Sequence, residues 1–97
     1  MIIEKQLTRI SNRTDRTSPV YSTELSKGVT LNIWYFEAPD VFGFSFIRSG
    51  KTRASGACTE GFSSYSGSIN RHDDVLSSGT LYINIVDDNN IKIQIYN

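Results

Sequence analysis

The sequence predicts a small all-β domain, an antiparallel β-sandwich of about five to seven strands, on three observations. Two apolar runs with a period of two, residues 29–36 and 41–47, are joined through Glu37, Ala38, Pro39 and Asp40. A second such pair, residues 81–86 and 91–96, flanks Asp87, Asp88, Asn89 and Asn90. Helix signals are sparse, while glycine, serine, asparagine and aspartate recur at short intervals.

Residues 2–10 admit two readings. Ile3, Leu7 and Ile10 fall at helical spacing, but nine residues without an N-cap make a marginal helix, and an edge strand is slightly favoured. Residues 11–19, SNRTDRTSP, carry no large apolar side chain and read as an exposed loop. Residues 20–25 form a short strand that turns through Lys27 and Gly28 into the central run. That run places Val29, Leu31, Ile33 and Tyr35 on one face, and the next places Phe42, Phe44 and Phe46 on one face. Ser49 and Gly50 suit a tight hairpin, since glycine tolerates the positive φ such turns demand. Residues 55–68, SGACTEGFSSYSGS, are too rich in serine and glycine for a core strand throughout and read as a long irregular loop, with a short strand around residues 62–65. At the C-terminal end Leu81, Ile83 and Ile85 share a face, as do Ile91, Ile93 and Ile95. The opposite faces are half polar, so this sheet has one wet side.

Ninety-seven residues make one domain, residues 1–97, and about two thirds of the unfolded surface of such a chain can be buried without a disulfide or metal. Ten basic and ten acidic residues balance, so no global field selects nucleic acid, an anionic membrane or an acidic partner. One cysteine and one histidine exclude an internal disulfide framework and a His/Cys zinc cluster. Met1, Ile2 and Ile3 are followed at once by Glu4 and Lys5 in place of a secretory apolar core, and no run approaches a membrane span, so a cytoplasmic location is expected.

No catalytic constellation assembles in the sequence. Nothing brings Cys58 and His72 together as nucleophile and base, and the adjacent carboxylates Asp73, Asp74 and Asp87, Asp88 point apart on an extended chain. Solvation of a turn accounts for Asp87 and Asp88. Gly50, Lys51, Thr52 echoes the end of a phosphate loop, but Ser45 stands where that motif needs its first glycine. Arg48, Lys51 and Arg53 form the one basic concentration, with Arg71 a further candidate. Beside Phe62 and Tyr65 it would offer charge and stacking to a nucleic-acid strand, although ordinary solvated hairpin charges explain it better. Trp34 and five tyrosines are numerous for this length, and aromatics on the outer face of a sandwich hold sugars or protein partners.

The segment Phe36, Glu37, Ala38, Pro39, Asp40, Val41, Phe42, Gly43 resembles the aromatic-to-glycine corner of a βγ-crystallin motif. Asp73, Asp74, Val75, Leu76, Ser77, Ser78 is similar to that family's paired-acid, double-serine calcium motif, and the two occur in the family's order. The resemblance covers less than half of the chain. It implies Greek-key-like connections in the sandwich, with Asp73 and Ser77 among the ligands of a calcium ion, hard oxygen donors for a hard cation.

The function expected is therefore non-catalytic binding of a protein partner through loops, exposed aromatics or a sheet edge, with Trp34, Arg48, Lys51, Arg53, Phe62 and Tyr65 as surface candidates and no cofactor. A carbohydrate- or calcium-binding module is the alternative, and a small enzyme with a site at a subunit interface is the third reading. The C-terminal hairpin would also allow a homodimer.

Overall fold

The computed structural model describes residues 2–11, 18–25, 28–35, 41–65 and 79–96, apart from the side chains of Tyr35 and Cys58. The chain forms eight strands: β1 (Ile2–Thr8), β2 (Tyr21–Glu24), β3 (Val29–Tyr35), β4 (Val41–Arg48), β5 (Lys51–Thr59), β6 (Gly61–Tyr65), β7 (Gly79–Asp87) and β8 (Asn90–Tyr96). They make two four-stranded antiparallel sheets, ordered β1-β8-β7-β6 and β2-β3-β4-β5. This is the small all-β sandwich that the alternation predicts, with one strand more than the expected range.

The connectivity differs from the Greek-key-like order expected. Around the molecule the order runs 1-8-7-6 and then 5-4-3-2, so each described strand lies beside its chain neighbours and β1 beside β8. It is a meander folded over on itself. One seam is the link from β5 to β6 through Glu60, and Gly61 adopts a φ of +119° there, a conformation that L side chains avoid. At the other seam Arg9 N–H donates to the Asn89 carbonyl, Ile10 N–H to Val20, and Val20 N–H to Ile33.

Of residues 55–68, those from 55 to 59 depart from the loop expected, while the short strand expected around residues 62–65 is present and residues 66–68 lie outside the described residues. β5 continues through Thr59, and β6 follows after a single residue. The serine and glycine that suggested a loop are instead the small side chains of two edge strands. Gly56 pairs with Phe44, and a Cβ placed on Gly56 would lie 2.7 Å from the Phe44 Cζ, so the ring occupies the space a side chain would need.

One core cluster fills the sandwich. From the second sheet it takes Val29, Leu31, Ile33, Phe42, Phe44 and Phe46, and from the first Leu7, Leu81, Ile83, Ile91, Ile93, Ile95 and Tyr65. Phe44 stands edge-on to Phe46 at 6.0 Å and to Tyr65 at 6.3 Å, and Phe46 lies 4.8 Å from Tyr65.

The two hairpin turns that lie wholly among the described residues follow from local chemistry. Ser49 and Gly50 take φ of 54° and 74°, the doubly positive turn whose twist matches the flanking strands. Asp88 and Asn89 lie outside the positive-φ region. The register shift between Ile85 and Asp87 supplies the extra bend through Val86. Ile85 therefore differs from Leu81 and Ile83, with which it shares a parity: it lies near the hairpin tip beyond the β6 pairing and is 36% exposed.

A Gly56→Ala substitution is expected to lower the unfolding free energy by about 1–3 kcal/mol, because the Phe44 ring is held between buried neighbours and cannot swing away freely. Urea unfolding measures this, and trimming the ring with Phe44→Leu in the same chain should make the added methyl cost less. An unchanged midpoint for Gly56→Ala would show that the ring yields without cost.

Candidate functional site

The outer face of the β1-β8-β7-β6 sheet gathers the most exposed aromatic surface among the described residues. Strand alternation sends Phe62 outward from β6, Tyr82 from β7 and Tyr96 from β8, while their sequence neighbours point into the core. Phe62 is directly opposite Tyr82 in the ladder, with ring centroids 4.5 Å apart, and reaches Tyr96 at 6.2 Å. It stays 69% exposed despite these two contacts. Ile2, opposite Tyr96 on the edge strand β1, is 64% exposed and extends the apolar surface to the far side of the sheet.

A polar chain runs beside the rings. Tyr96 Oη donates to Gln94 Oε1, and Gln94 Nε2 donates to Glu4 Oε2 at 2.9 Å, so the amide is oriented from both ends. Glu4, Gln94, Tyr82 and Phe62 are successive register partners across all four strands. The face thus presents rings at one end and oriented hydrogen-bonding groups at the other. Glu60 borders it where β6 begins: its carboxylate accepts the Ile85 N–H at 2.7 Å, taking a donor on the part of β7 that runs past β6.

The residues singled out from the sequence are dispersed. Phe62 belongs to this face. Tyr65 does not, because it lies three residues further along the same strand and therefore on the opposite side. It is 4% exposed, within the core. Trp34 is half-buried on the outward parity of the other sheet, opposite Gly43. Arg48 and Lys51 are register partners flanking the Ser49–Gly50 turn, and Arg53 sits at the register shift of β5. This basic group does not share a face with Phe62, so charge and stacking do not combine as a nucleic-acid platform would need. Asp73 and Ser77, together with Arg71 and His72, lie outside the described residues. Among the described residues no group of three or more His, Cys, Asp or Glu side chains is placed to hold a metal ion. Tyr82 and Tyr96 were visible in the sequence only as members of a large aromatic set; their union with Phe62 depends on the cross-strand register.

Two displaced ionisations have structural causes. Burial pushes the Tyr65 hydroxyl up to about 12. The Asp87 carboxyl is held below its ordinary value by the Asn89 backbone N–H, which donates at 2.8 Å, and by the Asn90 side-chain amide at 2.9 and 3.1 Å. This is the turn role expected for Asp87.

No protein-family model matches the chain, and neither a curated protein nor a solved structure is significantly similar to it. No helix of the described residues is long and apolar enough to cross a membrane.

Each displaced group makes stability depend on pH in a definite direction. Asp87 has a lowered folded pKa, so its contribution is complete above its ordinary value of 3.8 and lost as the pH falls through the folded value. Asp87→Ala should melt below the parent at neutral pH, with the gap closing in acid; a gap constant with pH would assign the effect to packing. Tyr65 has a raised folded pKa, so stability is complete below 10.0 and declines as the pH rises toward about 12. In an ultraviolet titration Tyr65→Phe should lose one tyrosine ionising at about 12, and its alkaline loss of stability should be smaller; an unchanged titration would rule out that assignment.

Proposed function

We propose that this domain is a non-catalytic binding module that engages a protein partner through the Phe62, Tyr82 and Tyr96 face. The observation that carries this reading is Phe62, a large ring left 69% exposed although two tyrosines flank it, on a sheet whose other face sends Leu81, Ile83, Ile91, Ile93 and Ile95 into the core. A folded chain gains nothing by holding so much apolar surface in water, whereas a partner burying it gains about 25 cal/mol per Å². Central aromatics bordered by polar groups form the kind of surface in which a few residues dominate binding. The bordering groups here are Gln94, Glu4 and Lys92, all on the outward parity.

The test compares the domain with its Phe62→Ala and Tyr96→Ala forms, each first shown to keep the parent melting temperature. A protein retained by the immobilised domain from an extract should, once purified, bind the Phe62→Ala form at least about tenfold more weakly in calorimetry. Equal affinity would remove this face from the reading. Retention of glycans on an array, abolished by the same substitutions, would replace the protein partner with a carbohydrate.

A further inference from the structure

We propose that the hairpin end of β5 is a strand-addition site for an extended, acidic segment of a protein partner. This surface is separate from the aromatic face and stands on different observations. β5 spans Lys51–Thr59, as long as any strand of the molecule, and among the described residues it is hydrogen-bonded into its sheet by β4 on one side only. Its C-terminal end is tied to β6 through Glu60, which leaves the end next to the Ser49–Gly50 turn as the stretch that no described residue pairs with on the far side. An edge of this kind offers backbone donors and acceptors to any extended chain.

Charge decides which chain. Lys51 and Arg53 lie on this stretch, so two cations are concentrated at one end of one edge, with Arg48 opposite Lys51 on the neighbouring strand. Lys51 and Arg53 hold no carboxylate among the described residues. The overall charge is zero, so this is a local field on a neutral molecule, and its attraction acts within about one Debye length. A second copy of this chain pairing β5 with β5 would bring the same cations together and be repelled. The register shift at Arg53 further discourages a regular self-pairing. The same features favour a strand carrying aspartate or glutamate, whose carboxylates meet Lys51 and Arg53 while its backbone continues the β2-β3-β4-β5 sheet. Repulsion of one class of partner and attraction of the other are the two halves of specificity.

The probe is a fluorescein-labelled peptide as long as β5 with alternating glutamate and valine, followed by anisotropy at low and physiological salt. It should bind, slow the hydrogen exchange of β5 amides, and weaken by about tenfold or more with Lys51→Glu plus Arg53→Glu. Methylating alternate backbone nitrogens of the peptide should weaken it similarly, because strand addition needs those donors. Phe62→Ala should leave this binding unchanged, which separates failure here from failure of the aromatic face. No binding, equal binding of the methylated peptide, or slowed exchange elsewhere than β5 would overturn the proposal. Tighter binding of single-stranded DNA than of the peptide would also overturn it, in favour of a nucleic acid held by charge.

Discussion

Phe42, Phe44 and Phe46 from one sheet share a single buried cluster with Ile91, Ile93 and Ile95 from the other, and this interlayer packing is the constraint that the remaining structure obeys. Each such side chain contributes about 1.5–3 kcal/mol on burial. An average internal hydrogen bond contributes about 0.5–1.5 kcal/mol net. The layers therefore set the stability, and the polar contacts set the details. With the phenylalanines committed inward, strand alternation dictates what faces water. Gly56 must be small because Phe44 fills its space, and Tyr65 must come inside to complete the aromatic contacts with Phe44 and Phe46. Phe62 then faces outward with Tyr82, so the exposed aromatic face is a by-product of the core's parity.

Edges are the second constraint, since a two-sheet sandwich has four. The structure treats them unequally. β2 is four residues long, and the backbone bonds of Ile10 and Val20 cover its approach. β1 places Lys5 on the inward parity, where a charge discourages a further strand. Glu60 occupies a backbone donor of β7 beyond the end of β6. β5 alone among the described edges combines length with a concentration of cations, which disfavours pairing with a like-charged strand.

Much of this was legible in the sequence because the inner strands are strongly periodic. Val29, Leu31 and Ile33, the phenylalanines of β4, and the isoleucines of β8 all announce their buried face by alternation alone. Ser49 with Gly50, and Asp87 with its asparagines, announce turns by the backbone conformations and local bonds they favour. The short strand around residues 62–65 is legible, but residues 55–59 are not, for a physical reason: an edge strand containing Ser55 and Gly56 buries little, so no apolar period marks it. The meander was equally hidden, since alternation specifies a strand's faces but not its neighbours. The same limit applies to the candidate site. The sequence pairs Phe62 with Tyr65, but residues three apart on one strand face opposite sides, and the partnership of Phe62 with Tyr82 and Tyr96 is a product of register.

The pairing of β1 with β8 has a consequence for how the molecule folds. Every other ladder joins strands adjacent in the chain, whereas this one brings together groups as distant as Glu4 and Gln94, 90 positions apart. The entropy of closing the chain is thus concentrated in this one ladder, while the others close shorter loops. Until β1 arrives, the edge of β8 is open to any copy of the first strand, its own or a neighbour's. In a crowded refolding mixture, dilution is what makes the correct choice the faster one.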